Sequence, residues 1–220
     1  MAATPEVAVP TLNWLLDSEH ILAAVITQPD RPAGRGRELK ESVISEWARE
    51  NSVPCFKPAN VAETALLVKD CDLLLTIGYG VLLPAEILGL PHHGCLNLHF
   101  SLLPRWRGAA PVQRAIEAGD SLSGVTVFQL DEGMDTGPIF STKRFALDAD
   151  ITSDELFIEL AALGVESVEE SLQDIAQGKR PIAQPKEGAT RALKITKQEC
   201  EIDWSQDAQT ISQKIRAFTS

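Results

Sequence analysis

Two hydrophobic rhythms alternate along the chain. Short apolar runs of strand length occur at Ile21–Thr27, Pro54–Pro58 and Asp72–Ile77. The last, DLLLTI, is the unbroken kind expected of an interior strand in a parallel sheet. Between them lie helical patterns at Pro10–Asp17, Glu41–Glu50 and Val61–Val68. Leu12, Leu15 and Leu16 face inward in the first, and Asn60 with Glu63 has N-cap and N3 spacing at the start of the third. Further on, Pro84–Leu88 is a helical turn and Ala109–Ala118 a helix. Gly124–Leu130 alternates as a strand, and Pro138–Leu147 reads as a returning antiparallel strand. Asp154–Ala176 is a long helix, and Ala208–Ala217 a closing one. This alternation predicts an α/β, Rossmann-like, mostly parallel sheet with helices on both faces and ligands at the carboxyl ends of its strands.

One stretch departs from both rhythms. Gly94–Pro111 reads GCLNLHFSLLPRWRGAAP. Cys95, Leu96, Leu98 and Phe100 give a strand, but Asn97 and His99 are interleaved and share one face. Ser101-Leu102-Leu103-Pro104 then forms an apolar loop, Arg105–Gly108 a basic turn, and Ala109 opens a helix with Pro111 in its first turn. Either polar residue alone reads as an ordinary structural one, a satisfied core histidine or an asparagine bonding to backbone. The pair, followed by this loop and turn, marks a candidate site.

Charge sharpens the picture. The 220 residues carry a formal charge of −11, which argues against general polyanion binding. Against that background DRPAGRGRELK stands out, because Arg31, Arg35, Arg37 and Lys40 outweigh Asp30 and Glu38. Its two glycines and proline predict a mobile loop, and its cations suit phosphates. The four cysteines are scattered without C-x-x-C spacing and read as reduced thiols, not as a disulfide framework or metal site. His92 and His93 show no metal-ligand spacing either. No apolar run approaches the ~20 residues of a bilayer span, and MAATPEVAVP lacks a basic n-region. A cytoplasmic protein is expected.

The order N-x-H, S-L-L-P-x-x-R-G, then D-x-G-x-D-T-G-P at Asp131–Pro138 resembles the formyltetrahydrofolate-dependent formyltransferases. Calcium loops also combine Asp and Gly, but the oxygen-ligand spacing is absent. The resemblance covers nearly the whole chain. It implies a catalytic set of Asn97, His99 and Asp135 acting on 10-formyltetrahydrofolate without a metal. It also implies folate contacts from Ser101, Leu102, Leu103 and Pro104, and from the turn at Tyr79 and Gly80, which otherwise reads as a plain strand-to-helix turn. The wording SLLPRWRGAAPVQRAI and the basic loop resemble members that formylate methionyl initiator tRNA, with Arg31, Arg35, Arg37 and Lys40 on the tRNA. Such an enzyme is expected to be a monomer. Glycinamide ribonucleotide, sugar-nucleotide and formyl-folate-hydrolysing enzymes share N-x-H…D and stay open, as does a non-catalytic folate- or tRNA-binding domain. Ala3-Thr4-Pro5 matches the turn after the family's first strand, so that strand is expected to be missing and the start to lie upstream. Residues 1–178 are expected to be catalytic, and 179–220 a linker and closing helix leading toward a C-terminal β-barrel that is absent here.

Overall fold

A computed structural model describes residues 1–33 and 38–219; of 31–33 and 38 only the backbone is described. The chain packs as two compact units, Met1–Leu98 with Gln129–Glu132, and His99–Phe128 with the chain from Gly133 onward.

The first unit is built on β1 (Ala2–Ala3), α1 (Val9–Asp17), β2 (Val25–Ile26), β3 (Arg31–Ala33), β4 (Glu38–Lys40), α2 (Val43–Glu50), β5 (Cys55–Phe56), α3 (Val61–Val68), β6 (Leu74–Ile77), α4 (Ala85–Leu88) and β7 (Cys95–His99), whose last residue belongs to the second unit. Its sheet runs β7-β6-β1-β2-β5, all parallel. The mostly parallel α/β class is thus the one the alternation predicts. Helix α3 starts where Asn60 places its cap, since Asn60 Oδ1 accepts the Glu63 N–H at 3.0 Å.

Two expectations are corrected. The first strand is present as a two-residue element: Ala2 and Ala3 are each 1% exposed, and β1 pairs with β6 on one side and β2 on the other. Two alanines carry no strand signature, but their backbone groups suffice to bridge neighbouring parallel strands. The basic segment is also more ordered than a loop at its ends. There β3 and β4 pair antiparallel in the register Arg31 to Lys40 and Ala33 to Glu38. Lys57 binds Asp30 at 2.6 Å just before β3.

The second unit continues with β8 (Arg107–Gly108), α5 (Pro111–Glu117), β9 (Leu122–Gln129, its last residue in the first unit), β10 (Ile139–Ala146), α6 (Ser153–Ala176), β11 (Arg191–Ala192) and α7 (Ala208–Phe218). Strands β9 and β10 form an antiparallel hairpin pairing Val125 with Lys143. A capping box starts α6, with the Thr152 hydroxyl on the Glu155 N–H and the Glu155 carboxylate on the Thr152 N–H. Val125, Val127, Phe128, Leu156 and Leu160 are fully buried. Strand β11 pairs parallel with β8, and Ile182 bridges Ile139. The segment after α6 is therefore tied back to the loop after β7 and to β10. Among the described residues no helix is long and apolar enough to cross a membrane.

Candidate active site

Strand β7 carries Asn97 and His99 two residues apart. In the first unit, the Asn97 amide nitrogen donates to the Thr76 hydroxyl at 2.8 Å and, more weakly, to the Thr76 carbonyl at 3.3 Å. Thr76 in turn donates its hydroxyl proton to the Leu96 carbonyl at 3.0 Å. That bond leaves Thr76 Oγ1 an acceptor, which fixes the Asn97 amide with its nitrogen toward β6.

In the second unit, His99 is 6% exposed and meets the edge of the buried Phe128 ring at a centroid distance of 6.3 Å. His99 Nε2 donates to the Trp106 carbonyl at 2.9 Å. The other ring nitrogen, Nδ1, lies 3.8 Å from Asp135 Oδ2. The Asp135 oxygen accepts the Gly108 N–H at 2.7 Å. The loop between His99 and Gly108 is clamped from within. Thr126 donates its hydroxyl to the Ser101 carbonyl at 2.7 Å and accepts the Leu103 N–H at 3.2 Å. The Ser101 hydroxyl donates to the Arg105 carbonyl at 2.7 Å. The Leu103–Pro104 peptide is cis. Two non-glycine residues of the site hold left-handed backbone, Trp106 at φ +65° and Asp135 at φ +52°. Such conformations persist where surrounding bonds over-determine them, and they concentrate at functional sites.

Gln184 supplies part of that determination, and no motif or periodicity pointed to it. Its amide nitrogen donates to the carbonyls of Asp135 at 3.0 Å and Gly137 at 2.7 Å. Its oxygen accepts twice from the Arg107 guanidinium, at 3.2 and 2.6 Å. One amide thus joins both ends of the Gly108–Asp135 bond. It also gives Arg107 a structural partner. A cavity of about 430 Å³ opens beside that bond. Gly108, Met134 and Thr136 line it together with the cationic Arg107, Arg191 and Lys194.

Gly108 has no room for a side chain. Its φ is +127°, and an added Cβ would lie 2.5 Å from the Ala192 carbonyl oxygen. Gly108→Ala is expected to cost about 1–3 kcal/mol of stability through backbone strain alone. Because the same residue's N–H holds Asp135, turnover should fall with it. Chemical unfolding beside a turnover assay checks both. An unchanged unfolding midpoint would contradict the steric argument.

The remaining candidate residues take these places. Ser101 and Leu103 are buried, and Leu102 and Pro104 half-buried. The Tyr79 side chain is buried in a cluster with Ala2, Ile26, Val68 and Ile87. Its carbonyl accepts from Gln28 Nε2 at 2.7 Å and from the Thr4 hydroxyl at 3.1 Å. Gly80 is exposed at φ +73°. Lys40 is exposed, the Arg31 side chain is not described, and Arg35 and Arg37 lie outside the described residues. Burial pushes the Cys95 thiol up to about 12, which removes it as a nucleophile. Among the described residues no group of three or more His, Cys, Asp or Glu side chains is placed to hold a metal.

Comparison with known proteins finds relatives along most of the chain. The formyl transferase family matches residues 3–171, and the formyl transferase C-terminal domain matches 194–220. A methionyl-tRNA formyltransferase from Chromohalobacter salexigens is 45% identical over 99% of this chain and 68% of its own length. One from Hydrogenovibrio crunogenus is 41% identical over 99% of this chain and 71% of its own. Among solved structures, a 4-N formyltransferase from Francisella tularensis aligns with a TM-score of 0.77 at 19% identity, covering 99% of this chain and 86% of its own. An N-formyltransferase from Helicobacter canadensis, solved with folinic acid and dTDP-3-aminofucose, aligns at 0.76 and 20% identity, over 99% and 78%. With a family match across most of its length and relatives this similar, the chain belongs to the formyl transferase family.

Proposed function

We propose that this chain transfers the formyl group of 10-formyltetrahydrofolate to the amino group of methionyl initiator tRNA, as a cytoplasmic enzyme of translation initiation. The observation that carries the reading is identity of 41–45% to methionyl-tRNA formyltransferases over 99% of the chain. In the proposed reaction the amine nitrogen attacks the formyl carbon. A tetrahedral oxyanion forms, the bond to folate N10 breaks, and one proton passes from the amine to N10.

The side chains suit those steps. The Asn97 N–H that reaches the Thr76 carbonyl only at 3.3 Å is the one an oxyanion can draw away. With Nε2 occupied by the Trp106 carbonyl, the base of a neutral His99 is Nδ1. At 3.8 Å, Nδ1 and the Asp135 carboxylate are too far apart to bond each other directly. An amine nitrogen about 2.9 Å from both completes an ordinary hydrogen-bonded triangle. Asp135 and His99 are thus arranged to receive a proton from a common donor. We assign folate contacts to Leu102 and Pro104 on their open sides, to the loop that Ser101 and Leu103 hold, and to the Tyr79 backbone and Gly80. The acceptor end of the tRNA is assigned to Arg31, Arg35, Arg37 and Lys40. Residues 1–178 are read as the catalytic portion and 179–220 as a closing segment that reaches back through Gln184.

The test offers the chain 10-formyltetrahydrofolate with charged initiator tRNA, glycinamide ribonucleotide or an amino-sugar nucleotide. Formylation confined to the tRNA is expected. Transfer to either small molecule at an equal or higher kcat/KM would replace the reading. Folate binding without turnover on any acceptor would reduce the chain to a binding domain.

A further inference from the structure

We infer that Asp120 is a positioning residue for His99, fixing the proton of the neutral imidazole on Nε2 and leaving Nδ1 open toward Asp135. The inference rests on the formyl-transfer reading for its kinetic consequence but on geometry alone for its tautomer.

Asp120 lies in the turn between α5 and β9, and its side chain is 15% exposed. It accepts three hydrogen bonds from two successive residues. Arg105 Nη2 donates to Oδ1 at 2.6 Å, and Arg105 Nε and Trp106 Nε1 each donate to Oδ2 at 2.8 Å. A bidentate guanidinium pair of this kind fixes direction as well as distance. The Arg105 guanidinium also stacks on the Trp106 ring, 4.4 Å from its centroid. Both side chains are therefore drawn to one carboxylate while the backbone between them turns left-handed at Trp106. A tryptophan adopts that conformation only under constraint. On the backbone side, the Trp106 N–H donates to the Thr190 hydroxyl at 2.9 Å.

The result is a carbonyl aimed at His99 Nε2. A carbonyl oxygen has no proton to give, so Nε2 must be the donor. The neutral ring then carries its lone pair on Nδ1, the nitrogen 3.8 Å from Asp135 Oδ2. The contact of His99 with Phe128 sets the ring plane and leaves the choice of nitrogen to Trp106. The hydrogen bonds of Asp120 go to Arg105 and Trp106. It acts through the shape of the Arg105–Trp106 backbone.

The experiment reads the tautomer directly. Ring nitrogen shifts of ¹⁵N-histidine-labelled chain are recorded at alkaline pH, with a His99→Gln variant assigning His99 among the four histidines. In the wild type the Nε2–H form should predominate. In Asp120→Ala, shown folded by its thermal transition, the two tautomers should mix, and kcat for formyl transfer should fall about tenfold with the folate KM little changed. Asp120→Asn, which keeps the size and one acceptor oxygen, should lie between. A wild-type Nδ1–H ring overturns the inference. So does a folded Asp120→Ala whose tautomer or kcat matches the wild type. If Asp120→Ala does not fold, Asp120→Asn decides by the same two readouts. If the wild type formylates no acceptor, the reaction assignment fails while the ring shifts still judge Asp120.

Discussion

Asp135→Asn should lower the turnover of formyl transfer by about 10²- to 10⁴-fold, the range for loss of a positioned proton acceptor. The substitution is nearly isosteric. The side-chain oxygen that accepts the Gly108 N–H can remain, as can the backbone bond to Gln184. What disappears is the negative charge 3.8 Å from His99 Nδ1. The attacking amine then loses one of the two groups proposed to receive its proton, and a protonated His99 loses its counter-charge. Folate affinity should stay within about twofold, since no folate contact is assigned to the carboxylate. Single-turnover kinetics beside calorimetric folate binding separates the two. Turnover within about threefold of wild type would remove Asp135 from the mechanism.

Asn97→Ala should cost about 10²- to 10³-fold in kcat, the usual loss for one oxyanion donor. Its bond to the Thr76 hydroxyl complicates the interpretation, because removing Asn97 also deprives that oxygen of a donor. A bond of that kind contributes only about 0.5–1.5 kcal/mol to stability, so the fold should survive with a slightly lowered unfolding midpoint. The distinguishing sign is in the kinetic split. A group that acts only on the transition state lowers kcat and kcat/KM together and leaves KM in place. A rise in KM with kcat intact would make Asn97 a ground-state contact.

Part of this site was legible because strand geometry is simple. Asn97 and His99 share a face whenever the segment is extended, so alternation alone paired them. The Val61–Val68 helix was equally readable from Asn60 and Glu63, since cap and helix are neighbours in sequence. Asp135 was not readable from periodicity. Its turn suggested only glycine and acid, and its assignment came from the motif order. The supports escaped entirely. Gln184 lies 49 residues from Asp135, and Thr190 lies 84 from Trp106. Both are single polar residues in stretches with no hydrophobic rhythm, so their partners exist only after folding. Trp106 gave no hint of a left-handed backbone, because that conformation is imposed by Asp120 and Thr190 and not preferred by tryptophan. The two-residue strand at Ala2–Ala3 was missed for a related reason, since alanine has no strand preference and its place follows from its neighbours' pairing. Tyr79 was only partly legible. Its turn was read equally as a ligand contact or a plain connection, and its ring lies in the core, which leaves only its backbone for the contact proposed above.

A crystal structure of the chain with a non-reactive formyl-folate analogue bound would test the shared-site claim most directly. The formyl carbon should face the gap between His99 Nδ1 and Asp135, within about 4 Å of both. An analogue seated with its formyl group turned away from these two side chains would contradict the account.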